Sequence, residues 1–207
     1  MPEDGAVRFK KKFEAEVESV VARSPKDIIK VLLCDAARPI WSYARETELF
    51  KDFEKLIDYW HAFEHLSLAA EALFGKGTAE AKAWDTKYAS KLKKENNGAR
   101  SVLRSIEHYG KTRKLSAARE KDLKTQRTFF RRNKAMMNYA DFRRRGLPIG
   151  SGPVEAACKS LVKARLGRSG MRWSREGGQR ILDLRTYVKS NRWDQFWDIY
   201  KEIKAAA

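Results

Sequence analysis

Glu155 lies in the run LPIGSGPVEAACKSLVKARLGRSGMRWSREGGQ (147–179), behind a turn punctuated by Gly150, Ser151 and Gly152 and a helix start at Pro153. Lys159, Lys163, Arg165, Arg168, Arg172 and Trp173 follow, so one acid stands at the head of a basic helix. A carboxylate beside a tight turn and among cations suits metal-dependent chemistry on a polyanion. A lone glutamate in a first helical turn is also favoured by the helix dipole alone. Asp35 comes directly after the apolar, β-branched run IIKVLLC (28–34), and strand ends are favoured places for metal-binding carboxylates. Asp58, His61 and His65, spaced i, i+3, i+7, share one helix face.

The elements that must position these groups follow from periodicity. Residues 8–23 predict an amphipathic helix carrying Phe9, Phe13, Val17, Val20 and Val21 on one side, ended by Ser24-Pro25. IIKVLLC and FEKLI (53–57) predict two short strands. From Asp58 to about Arg145 the pattern is helical, with breaks expected at Gly75–Gly77, at Asn96–Gly98 and around Gly110. The last of these helices, roughly 116–144, carries Arg119, Lys121, Lys124, Arg127, Arg131, Arg132, Lys134 and Arg143 to Arg145, a single-sign run that suits phosphates. Further helices are expected at about 153–166, 175–190 and 193–204. In the last, Trp193, Phe196, Trp197 and Tyr200 read as a core face. At 100° per residue Val154, Cys158, Leu161, Val162 and Arg165 fall on one side of their helix, with Glu155 about 20° beyond Val162. That phase predicts a glutamate at the rim of a packed interface.

The 44 Lys and Arg against 27 Asp and Glu give a net charge of +17, which points to an anionic partner, nucleic acid ahead of membrane. Cys34 and Cys158 have no repeated spacing, so neither a disulfide framework nor a cysteine zinc site is indicated, and a reducing cytoplasm fits. No apolar stretch is long enough for a membrane span, and residues 1–30 lack a signal-peptide core. His61-Ala-Phe-Glu64-His65 matches the H-x-x-E-H pattern of inverted zinc metalloproteases, where two histidines ligate zinc and the glutamate is the base. Histidines hydrogen-bonded at a helix-packing surface account for the same five residues more simply.

The segments LLCDAARPIW, LIDYWHAFEHLSLAAEALFGKG and GSGPVEAACKSLVKARLGRSGMRWSREGGQRIL together resemble the catalytic half of bacterial insertion-sequence transposases of the DDE type. The resemblance is to the Kra-type group, related to Mutator-like transposases, and spans roughly residues 10–200. It implies a predominantly α chain with a small β component: a truncated RNase-H-like α/β core interrupted by an all-α insertion. Residues 1–57 would be the core remnant, 58–146 the helical insertion and 147–207 the carboxyl-terminal core helices. By the resemblance Asp35 is the second catalytic acid and Glu155 the third, together the Mg²⁺ (or Mn²⁺) ligands. Ala36 stands where the family's Asp-Gly-Ala motif has glycine. Asp58 and His61 match an accessory Asp-x-x-His element. Lys159, Lys163, Arg165, Arg168, Arg172 and Trp173, with Arg131 and Arg132 from the basic helix, are expected to meet DNA. The first acid and its strands have no counterpart upstream of Asp35, so the chain is expected to be a carboxyl-terminal fragment, inactive alone. A separate chain supplying those strands, or a homo-oligomer, would be its protein partner, with DNA as substrate and a cytoplasmic, nucleoid-associated location. The alternative is a non-catalytic DNA-binding remnant or regulator.

Overall fold

The computed structural model describes residues 5–206, and these form two compact units, Met1–Gly150 and Ser151–Ala207. The chain is predominantly helical with one small parallel sheet. In the first unit α1 (Gly5–Arg23) precedes β1 (Val31–Cys34), α2 (Arg38–Glu46), a 3₁₀ turn (Glu48–Phe50) and β2 (Glu54–Ile57). Parallel strands cannot be joined by a hairpin, and α2 supplies the crossover. Val31 pairs with Glu54 and Cys34 with Ile57, so the two strands end in step.

Four helices follow: α3 (Tyr59–Phe74), α4 (Ala79–Lys94), α5 (Gly98–Thr112) and α6 (Ala117–Asn133). α3 packs on α4 and α6, and α5 closes the ring against the same two helices. The core runs through Ala62, Leu66, Ala69 and Leu73 of α3, Val102 and Ile106 of α5, and Phe130 of α6, all buried. Leu56 and Ile57 of β2 join the same core, so sheet and bundle are one packed body. Two polar pairs cross it: Trp84 Nε1 donates to Ser105 Oγ at 2.9 Å, and His65 Nδ1 meets Gln126 Oε1 at 2.6 Å.

The chain turns from α3 to α4 through Gly75 and Gly77, both at positive φ (98° and 75°), which glycine adopts without strain. Thr78 then caps α4 by accepting from Ala81 N at 3.1 Å. Two expected boundaries move. α5 continues through Gly110 to Thr112, and the helix expected over 116–144 ends at Asn133. A 3₁₀ turn (Lys134–Met136) and the short α7 (Tyr139–Arg144) replace its second half. The bend carries Met137, Tyr139 and Phe142 into the core, where burial of two rings and a thioether outweighs helical continuity.

The second unit holds α8 (Gly152–Cys158), a π-helical turn (Lys159–Lys163), α9 (Ala164–Leu166), α10 (Arg175–Lys189) and α11 (Trp193–Ala205). The π turn overrides the expected straight helix over 153–166. Arg185 of α10 stabilises it by donating to the carbonyls of Leu161, at 3.1 Å, and Ser160. The aromatic face of α11 is not a core face. Trp193, Trp197 and Tyr200 are 38%, 42% and 44% exposed and pack chiefly on Phe196 and one another. Among the described residues no helix is long and apolar enough to cross a membrane.

Candidate functional site

Two aspartates leave the sheet side by side. Cys34 and Ile57 are register partners at the carboxyl ends of β1 and β2, and the next residue in each chain is Asp35 or Asp58. The Asp58 N–H donates to the Cys34 carbonyl at 2.9 Å, extending the ladder by one bond and holding the two positions together. Each carboxylate then shapes the helix that follows it. Asp35 Oδ1 accepts from Ala37 N at 2.9 Å, ahead of α2, while Trp41 Nε1 donates to the Asp35 carbonyl at 2.6 Å. Asp58 Oδ1 accepts from Trp60 N at 2.7 Å and His61 N at 3.1 Å, capping α3. Asp35 is exposed, whereas Asp58 is buried.

The surroundings of the pair are apolar and aromatic. Burial, with Asp35 adding its charge, pushes the Cys34 thiol up to about 11. Tyr139 is fully buried, and its hydroxyl has no hydrogen-bond partner. Burial pushes that phenol well up, and the Asp58 charge adds to the effect. The Tyr59 N–H donates to the Ile149 carbonyl at 2.9 Å, tying the start of α3 to the end of the first unit.

His61 and His65 lie on the face that the spacing predicts, one turn apart and edge to face at 5.0 Å. His65 stacks on Phe129 at 3.6 Å and is bound through Nδ1 to Gln126, so it belongs to the α3–α6 packing surface. Burial pulls its imidazole below the ordinary value. His61 Nδ1 stands 3.5 Å from Glu64 Oε2, a local i, i+3 pair.

Glu155 belongs to the second unit, in the first turn of α8 with Pro153, where its sequence places it. The expected packed rim beside it does not form: Val154 and Val162 are 62% and 41% exposed, and Cys158 is exposed. An apolar stripe becomes a packed face only where another element covers it, and Val154, Cys158 and Val162 remain exposed. Lys159, Lys163, Arg165, Arg168 and Arg172 are exposed, and none is tied to a carboxylate among the described residues. Trp173 is half-exposed, with its indole N–H donating to the Arg165 carbonyl at 2.9 Å.

The basic run of α6 and α7 divides into tied and untied cations. Arg131 pairs with Glu107 of α5 at 2.6 Å, and Arg119 Nε donates to the Ala72 carbonyl at 2.7 Å. Arg144 and Arg145 bind Asp141, and Arg145 also binds Glu54 of β2 and lowers that carboxyl below its usual range. Among the described residues Arg132 has no such partner. Of these two arginines expected to meet DNA, only Arg131 is tied to a carboxylate of the described residues.

Asp35 and Asp58 are hard oxygen donors of the type Mg²⁺ takes, alongside waters and substrate phosphates. Among the described residues no group of three or more His, Cys, Asp or Glu is gathered that could hold a metal ion. No protein-family model, curated protein or solved structure matches this chain.

Proposed function

We propose that this protein binds DNA and belongs to a DDE-type transposition system of the insertion-sequence kind it resembles, with an RNase-H-like core. The observation that carries this reading is the sheet edge. A parallel strand–helix–strand unit delivers Asp35 and Asp58 to one carboxyl end, within a chain of net charge +17. In this reading Asp35 and Glu155 keep the roles of catalytic acids. Asp58 sets the start of α3 beside Asp35, and His61 follows on the same helix. Lys159, Lys163, Arg165, Arg168 and Arg172 meet the phosphodiester backbone, with Trp173 among them. Mg²⁺ supplies charge stabilisation at the reacting phosphate in such centres. In this reading Asp35 and Glu155 are two of the three acids of such centres, and the chain alone is expected to bind DNA without cutting it. Cleavage then takes a third acid, which in this reading a partner chain carries.

Two measurements test this. Fluorescence anisotropy on a labelled duplex should show sequence-tolerant binding that weakens with salt, with a log–log slope of about −0.9 for each phosphate neutralised. Absence of binding at low salt would end the DNA reading. Incubating supercoiled plasmid with the chain and Mg²⁺ should leave it intact. Robust nicking that Glu155→Gln abolishes would overturn the inactivity of the isolated chain.

A further inference from the structure

A cleft of about 530 Å³ opens between α6 and the segment that leaves β1. Its walls carry Arg38, Lys121, Lys124 and Arg132, together with the polar side chains of Thr128 and Asn133, and no carboxylate. Among the described residues none of the four cations has an ion-pair or hydrogen-bonding partner for its side chain, and all are exposed. The neighbouring cleft between α5 and α6, which Lys124 also borders, is different in having Glu107 and Glu120 in its walls. Four unneutralised positive charges on one wall system repel each other, an arrangement an anion relieves.

The cations are spread along a line rather than converging on a point. Lys121, Lys124, Thr128 and Arg132 fall at i, i+3, i+7 and i+11 on one face of α6. From Lys121 to Arg132 the helix rises about 16 Å at about 1.5 Å per residue. That is the axial length of about five nucleotides of one duplex strand at about 3.4 Å each. A single phosphate or nucleotide would engage only part of the row, and a chain of phosphates engages all of it. The opposite wall begins at Ala36, the residue after Asp35, and continues to Arg38. Asp35, exposed at the sheet edge, is the chain neighbour of that wall's first residue.

We propose that this cleft is a DNA-backbone seat, in which the α6 row and Arg38 hold one strand and lead it to Asp35. The seat rests on the DNA reading above; it adds Arg38, which lies outside the basic run, and selects Lys121 and Lys124 from within that run. Arg131, next to Arg132 but paired with Glu107, is outside the seat.

The test is anisotropy on a short labelled duplex across about 50–200 mM salt, with the full chain and the triple variant Lys121→Gln/Lys124→Gln/Arg132→Gln. Three lost phosphate contacts should reduce the magnitude of the salt slope by about 2.7 and weaken binding up to about 500-fold at 0.1 M salt. Arg131→Gln should leave the slope unchanged. The substitutions are on exposed side chains, and Lys121→Arg/Lys124→Arg should retain the wild-type slope, which separates charge from folding. A triple variant with wild-type slope and affinity would overturn the seat while leaving the DNA reading standing. Failure of the wild-type chain to bind DNA would overturn both.

Discussion

Replacing Asp58 separates its structural role from its charge. Its Oδ1 accepts from Trp60 N and His61 N at the first turn of α3, and the residue itself is 5% exposed. Asp58→Asn keeps a side-chain acceptor at the same place and loses only the charge, worth about 0.3–1 kcal/mol at a helix N-terminus. Asp58→Ala removes the acceptor. A lost cap costs about 1 kcal/mol, and leaving two part-buried N–H groups unmet raises that to about 2 kcal/mol. For a unit of this size each kcal/mol lowers Tm by roughly 2–4 °C, so the alanine variant should melt roughly 4–8 °C below wild type and the asparagine variant roughly half that or less. Thermal unfolding followed by circular dichroism at 222 nm, checked by calorimetry, reads the difference. Equal losses in the two variants would show that the charge, not the acceptor, is what α3 needs. An alanine variant as stable as wild type would refute the cap.

Gly98→Ala should destabilise, against the usual sign for alanine in a helix, where the gain is roughly 0.5–1 kcal/mol. A Cβ there would lie 2.4 Å from the Lys91 carbonyl oxygen and 2.6 Å from Leu92 Cα, both backbone atoms that no rotamer change can move. A loss of about 1–3 kcal/mol in urea unfolding is expected, and an unchanged midpoint would contradict the close approach of α4 and α5. His65 should make stability pH-dependent. Burial favours its neutral form when folded, so the unfolded chain binds the proton more readily. The resulting stability is complete above the unfolded value of 6.5 and falls as pH drops toward the lower folded value. Urea midpoints measured from pH 7.5 to 5 should fall more steeply for wild type than for His65→Gln, and parallel curves would remove His65 as the cause.

Local pattern and distant contact contributed different parts of this protein. Hydrophobic periodicity placed α1, both strands and the start of α3, because period and turn residues act within a few positions. It also put Asp35 at a strand end, Asp58 at a helix start and Glu155 in a first helical turn. The charge of +17 was a matter of composition. The π turn after Glu155 was not legible, since it depends on Arg185 reaching carbonyls 24 and 25 residues away. Nor was the bend at Asn133, which core burial of Met137, Tyr139 and Phe142 decides. The basic run shows the division most clearly. The sequence displayed one basic run over roughly 116–144, in which every cation looked alike. Only tertiary contacts tied Arg131 to Glu107, 24 residues back, and Arg145 to Glu54, 91 residues back, leaving Arg132, Lys121 and Lys124 untied among the described residues. The register of β1 with β2 then brought Asp35 and Asp58 to one edge. Residue types and local phase are written in sequence order, whereas neutralisation and juxtaposition depend on what the fold brings within a few ångströms.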